Sequence, residues 1–186
     1  MIFLIMGKAG SGKDTVAQIM KNKLQEPTAI THYAGYLKWL YSHYFNWNGE
    51  KTLQARTDLQ IIGTDIVRNT YDEDFWVDRV IEQIQIFNGH FDHFIIPDAR
   101  FENEIEKVIE TFGSDQVITI RVVRPNYESD LTDEQKQHES EIALDNYPAN
   151  FTFINSSLEE LEKQVDLIIS SLQKKRPRGL YREIRR

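Results

Sequence analysis

The chain has 186 residues, 40% of them hydrophobic, with a formal net charge of -7 and no cysteine. That length fits one domain with at most a small mobile insert, and that charge argues against a protein that holds nucleic acid by general electrostatics. Without cysteine there is no disulfide or thiolate metal site, and the apolar start "MIFLIM" is too short for a signal peptide or a membrane span, so a soluble, cytoplasmic protein is expected.

Ile2 to Met6 form a continuous apolar run that breaks at Gly7, as in a strand buried on both faces. Helical spacing follows from Thr15 to Leu24, with Val16, Ile19, Met20 and Leu24 as its apolar stripe. "TAITHY" reads as a short strand. "AGYLKWLYSHYF", "TLQARTDLQIIGTDIVRNTY" and "DFWVDRVIEQIQIF" read as amphipathic helices, the last stopped by Asn88-Gly89. "HFIIPDAR" is an apolar strand ending in charge, and "NEIEKVIETFG" is a helix with a glycine stop. "QVITIRVVRP" is a strand ended by proline. The polar stretch from Asn126 to Glu141 has little apolar periodicity and reads as an exposed segment. "NFTFINSS" is a last strand and "LEELEKQVDLIISSLQKK" a last helix, followed by a strongly basic tail. Strands alternating with helices predict an α/β domain with a mostly parallel sheet and helices on both faces.

One motif carries chemistry on its own. "GKAGSGK" places Gly7 four residues before Gly12-Lys13, between a predicted strand and a predicted helix. That is the spacing of a phosphate-binding loop. Its glycines let consecutive backbone N–H groups turn inward around a polyphosphate, and the helix start adds positive partial charge. Gly10, Ser11 and Gly12 form the cradle, and Lys13 reaches the β- and γ-phosphates as a mobile point charge. Asp14 stands where such loops usually carry Ser or Thr to ligate Mg²⁺ directly. A carboxylate there repels the γ-phosphate unless a cation or water lies between, so Asp14 is expected to hold Mg²⁺ through a water. Thr15 offers its hydroxyl one residue later. Both residues also suit a helix start, through capping and the helix dipole.

Gly-Lys-Asp-Thr resembles the loop of the phage deoxynucleoside monophosphate kinases, and phosphomevalonate kinases carry a similar one. Three further stretches extend the first resemblance. "LQIIGTDIVRNTYDEDFWVDRV" is similar to that family's Leu-Gln-x-x-Gly-Thr-(Asp/Glu)-x-x-Arg segment followed by an acid and Trp-Val. "DARFENE" is similar to its Asp-x-Arg-Phe-x-Asn-Glu, and "RP" followed by "HESE" to its Arg-Pro, lid and His-x-Ser-Glu. The resemblance implies a three-layer P-loop kinase fold over residues 1–172, with a central, mostly parallel five-stranded sheet. Acceptor-binding helices would occupy about 34–87, a small lid about 125–141, and the basic tail 173–186.

It also implies roles. Arg68 would bind the acceptor monophosphate, and a cation at that place also suits a helix C-terminus. Trp76 would line the acceptor pocket or belong to the core. Asp98, at a strand end, would organise Mg²⁺ and its waters, and Arg100 would face the transferring or acceptor phosphate. Arg124 would contact the donor phosphates or stack over adenine. Asn155 falls in the stretch that would read the donor base. His138 and Glu141, three apart, would share a helix face on the substrate side. A lone histidine among carboxylates is no zinc signature.

The implied reaction takes ATP and a deoxynucleoside monophosphate to ADP and the diphosphate, with Lys13, Arg68, Arg100 and Arg124 neutralising the moving phosphoryl group. No general base is needed, because the acceptor phosphate is already an anionic nucleophile. The expected partners are small nucleotides, without nucleic acid or membrane, and a homodimer stays open. A kinase of another phosphorylated metabolite, such as phosphomevalonate, shares the loop and the arginines. A non-catalytic nucleotide switch or adaptor is the third reading.

Overall fold

The computed structural model describes residues 1–175. Most of the expected basic tail, residues 176–186, lies outside the described residues.

The strand β1 (Ile2–Met6) is buried along its whole length, as its unbroken apolar run requires. It sits at the centre of a sheet with order β2-β3-β1-β4-β5. The other strands are β2 (Thr28–Ile30), β3 (His93–Ala99), β4 (Val117–Val123) and β5 (Phe151–Ile154). Every pairing is parallel. Alternation along β1 divides the interior in two. Ile2, Leu4 and Met6 pack with helices α4 (Phe75–Phe87) and α5 (Glu102–Phe112). Phe3 and Ile5 pack with α1 (Lys13–Lys23) and α8 (Leu158–Lys175). Period-two side chains on a sheet covered on both faces give three layers.

The expected elements are present, with three differences. The stretch from Leu53 to Tyr71 is not one regular helix: α3 (Leu53–Gln60) continues as a π-helix, Ile61–Tyr71. In it the Asp72 N–H bonds to the Val67 carbonyl at 2.8 Å, an i to i−5 step. The turn is fastened from outside, for the Trp76 indole N–H donates to the Gly63 carbonyl at 2.8 Å. Gly63 itself packs so closely that a Cβ would lie 2.7 Å from Leu37 of α2 (Ala34–Phe45).

The polar stretch from Asn126 to Glu141 is not simply exposed either. It holds two short helices, α6 (Asp133–Gln137) and α7 (Glu139–Ile142). Gln135 is buried, its amide donating to the Thr57 hydroxyl at 3.1 Å and to the Leu53 carbonyl at 3.5 Å. Arg56 pairs with Asp130 at 2.8 Å, so this stretch is tied to α3. Third, His138 and Glu141 do not share a helix face. His138 is extended, between α6 and α7, and its ring accepts the Ser140 N–H at 3.3 Å as the cap of α7. An imidazole that accepts from the backbone ends one helix and starts the next.

Among the described residues no helix is long and apolar enough to cross a membrane.

Candidate active site

The strand order brings the carboxyl ends of β1, β3, β4 and β5 to one edge. In such sheets ligands bind beyond that edge. The loop after β1, Asp98–Arg100 at the end of β3, Arg124 after β4 and Asn155 after β5 all lie there. The loop after β1, Arg100 and Arg124 border a cavity of about 810 Å³ that residues of the stretch from Asn126 to Glu141 also line, whereas Asp98 and Asn155 stand outside it. Lys8, Arg100, Arg121, Arg124 and Lys136 line it, against the acids Glu128, Glu141 and Asp145.

The loop is built for an anion. Gly12, at φ 103°, starts α1, and the Asn155 amide lies 2.4 Å from where its Cβ would be, so only glycine fits. That amide donates to the Ser11 carbonyl at 2.8 Å and ties the end of β5 to the loop. At Gly10 the Tyr127 ring comes within 2.2 Å of a would-be Cβ. The Ser11 hydroxyl is buried and has no hydrogen-bond partner among the described residues, so the loop keeps polar capacity for a ligand. Lys13 is buried, and its ammonium donates to the carbonyls of Gly7 at 2.7 Å and Lys8 at 2.8 Å. Burial, then the nearby Arg100 guanidinium, pulls its pKa down to about 8.

Asp14 projects into solvent, its side chain 79% exposed, with the His32 ring 3.6 Å away. His32 holds its carboxyl below the usual carboxylate range, so it is ionised near neutrality. Thr15 is exposed beside it. Among the described residues there is no cluster of three or more histidine or carboxylate side chains able to hold a metal. A hard oxygen donor beside a phosphate loop still suits Mg²⁺, which keeps waters and takes one or two carboxylates plus phosphates.

The sequence-expected arginines divide between two places. Arg100 and Arg124 line the main cavity. Arg124 lies 4.2 Å over the Tyr127 ring and reaches the Gly10 carbonyl at 3.4 Å. Arg100 pairs with Glu141 and donates to the Ser140 carbonyl at 3.1 Å. The Glu141 carboxylate, 7% exposed, also accepts the Ala9 N–H of the phosphate loop at 3.1 Å. Lys8 completes the junction by donating to the Glu141 carbonyl at 2.7 Å and pairing with Asp145 at 2.5 Å. The Glu141 carboxylate thus occupies contacts that suit a phosphate oxygen.

Arg68 is apart from these, buried at the end of the π-helix beside a smaller cleft of about 400 Å³ formed by residues 68–73. It pairs with Glu73 at 2.9 Å and stacks 3.8 Å above the Phe101 ring.

Three residues expected on the ligand side, Asp98, Trp76 and His138, make contacts within the protein. Both Asp98 oxygens accept backbone N–H groups, from Tyr33 at 2.9 Å and Ala34 at 3.0 Å, so Asp98 anchors the start of α2. Trp76 is buried against the π-helix and lines neither cavity. His138 faces Asp65 at 3.7 Å rather than the loop.

Sequence reasoning passed over Tyr127, Lys8 and Glu104. Glu104 lies in the expected helix "NEIEKVIETFG" but does more than begin it. It is buried, accepting the Arg100 N–H at 2.6 Å and the Phe101 N–H at 3.1 Å. Burial raises its carboxyl to about 7. Its place within "DARFENE" is the available signal; Lys8 leaves none, because its partners Glu141 and Asp145 lie far along the chain, and neither does the packing of Tyr127 on the distant Gly10.

Comparison with known proteins bears on the same residues. The family model for deoxynucleotide monophosphate kinase matches residues 41–165. The match starts beyond the phosphate loop and takes in Arg68, Asp98, Arg100, Arg124, His138, Glu141 and Asn155. The deoxynucleotide monophosphate kinase of Enterobacteria phage T4 is 30% identical over 120 residues, 63% of this chain and 46% of that protein. Its counterpart from Escherichia phage RB69 is 30% identical over 124 residues, 66% of this chain and 47% of that protein. The chain spans about half the length of these curated relatives. Among solved structures, a sugar kinase from Janibacter sp. superposes with a TM-score of 0.53 at 12% identity, covering 91% of this chain and 94% of that one. At that identity the likeness is one of fold.

Proposed function

The chain belongs to the deoxynucleotide monophosphate kinase family, and from that premise we propose that it transfers the γ-phosphoryl group of ATP to a deoxynucleoside monophosphate. The observation that carries this reading is the convergence of the phosphate loop, Arg100 and Arg124 on one cavity at the carboxyl edge of the sheet. Phosphoryl transfer needs positioned positive charge more than covalent chemistry.

In this reading Gly10, Ser11, Gly12 and Lys13 hold the β- and γ-phosphates, and Lys13 leaves its loop carbonyls to do so. Thr15 adds a hydroxyl. Arg124, steadied on Tyr127, meets the donor phosphates. Asn155 fixes the loop and borders the donor-base side. Arg100 bridges donor and acceptor phosphates once an arriving phosphate replaces the Glu141 carboxylate. Arg68 binds the acceptor phosphate after leaving Glu73. Asp98 acts by placing α2, part of an acceptor-binding region over 34–87. Residues 125–141 form the lid, within a kinase domain over 1–172. Mg²⁺ would be held by Asp14 through water, and when bound it neutralises charge on the phosphates. The nucleophile is the acceptor phosphate oxygen, already ionised near neutral pH.

The test is a coupled ADP-release assay with ATP, Mg²⁺ and each nucleoside monophosphate in both sugar forms, with phosphomevalonate alongside. Turnover on deoxynucleotides supports the reading. Turnover on phosphomevalonate alone, or ATP binding without any acceptor turnover, would replace it.

A further inference from the structure

Glu104 and Tyr33 lie behind the site, outside both cavities. Each is buried, and each is a polar group that burial makes costly unless it is paired. Their partners connect the segments that carry the two acceptor-side arginines. The Glu104 carboxylate accepts the N–H groups of Arg100 and Phe101. The Tyr33 hydroxyl donates to the Glu104 carbonyl at 2.5 Å. Phe101, fixed by that turn, offers its ring face to the Arg68 guanidinium. Asn103, on the same first turn of α5, donates to the Glu73 carbonyl at 3.2 Å and to Asp74 at 2.8 Å, holding the segment that pairs with Arg68. A helix start could be capped by an exposed serine or aspartate. Here a buried carboxylate is used, and its two N–H donors belong to Arg100 and to the residue under Arg68.

We propose that Glu104, braced by Tyr33, is a positioning residue that sets Arg100 and Arg68 in one fixed relation for the acceptor phosphate. The inference rests on the kinase reading above for its use, but not for its geometry. Arginine forks bind phosphate bidentately, so orientation matters as much as charge. Glu104 touches neither reactant; it acts through the backbone of Arg100 and through Phe101.

Two readouts test it on the full chain. The first is the ¹⁵N-resolved Nε–H signals of Arg68 and Arg100, assigned with Arg→Lys variants. Glu104→Ala is expected to move both signals towards the positions of unstructured arginine. Glu104→Gln keeps an accepting oxygen and should leave them near the wild type. The second readout is steady-state kinetics. Glu104→Ala should raise the deoxynucleotide KM by about ten- to a hundredfold while the ATP KM changes by less than about threefold. Glu104→Gln should restore most of that loss. Tyr33→Phe removes only the brace, and should shift the signals and raise the acceptor KM by a smaller factor. It carries the test if Glu104→Ala does not fold. Unmoved arginine signals in a folded Glu104→Ala or Tyr33→Phe variant would overturn the proposal. So would an equal rise in both KM values, or a Glu104→Gln variant as impaired as Glu104→Ala. Shifted signals in a protein whose wild type phosphorylates no deoxynucleotide would uphold the positioning role and refute the substrate reading.

Discussion

Lys13 donates to two carbonyls of its own loop and is lowered to a pKa of about 8, chiefly by burial. The sign follows. Below about 8 the amine carries its charge and attracts phosphate; as pH rises through that value the charge is lost. A bound polyphosphate favours the charged form, so ATP binding near pH 8.5 should take up protons. Calorimetry in buffers of different ionisation enthalpy should show that uptake in the wild type and lose it in Lys13→Met. Proton release, or uptake undiminished in Lys13→Met, would contradict the assignment. Asp14 is a different case, exposed and ionised, with His32 nearby. Asp14→Ala should lower turnover more than ATP binding, and the loss should depend on Mg²⁺ concentration. Turnover unchanged across a Mg²⁺ titration would remove Asp14 from the metal's surroundings.

Among the elements, the lid is where structure and sequence differ most. Its backbone looked merely polar, yet Gln135 is buried against α3 and Glu141 against the phosphate loop. Those contacts join residues some eighty and more than a hundred and thirty positions apart, and no local pattern records them. Gln135→Ala should release the α6 end of the lid at a cost of about 1 kcal/mol, read as roughly fivefold faster amide exchange over 125–141. Exchange unaffected by the change would mean that Gln135 is no latch. Glu141→Gln should tighten ATP or acceptor binding if the carboxylate competes for Arg100 and the Ala9 N–H. Weaker binding would instead make Glu141 part of the bound state. The π-helix was equally hidden. A widened turn keeps nearly the same local apolar spacing, and what marks it is the Trp76 bond to the Gly63 carbonyl. By contrast, β1 and the loop were plain, because a five-residue apolar run and a glycine-lysine spacing are local signals. Asp98 and Arg100 were legible as strand-end charges. That Asp98 caps α2 was not, since Tyr33 lies 65 residues away.

Across the whole molecule, a chain with a net charge of -7 still brings Lys8, Arg100, Arg121, Arg124 and Lys136 to one cavity at one edge of its sheet. The strand order makes this possible by bringing four strand ends together, with residues from the stretch Asn126 to Glu141 lining the same cavity. Glu141 and Glu73 pair with Arg100 and Arg68, so under the proposed function substrate binding would exchange carboxylate for phosphate at both arginines. The most direct measurement follows the phosphoryl group itself. ATP labelled at the γ-phosphate is mixed with a deoxynucleoside monophosphate under single-turnover conditions, and the products are separated. The label is expected in the deoxynucleoside diphosphate, with almost none as free phosphate, and Arg100→Ala should suppress the transfer. Label appearing as inorganic phosphate, at a rate indifferent to the acceptor, would contradict the account.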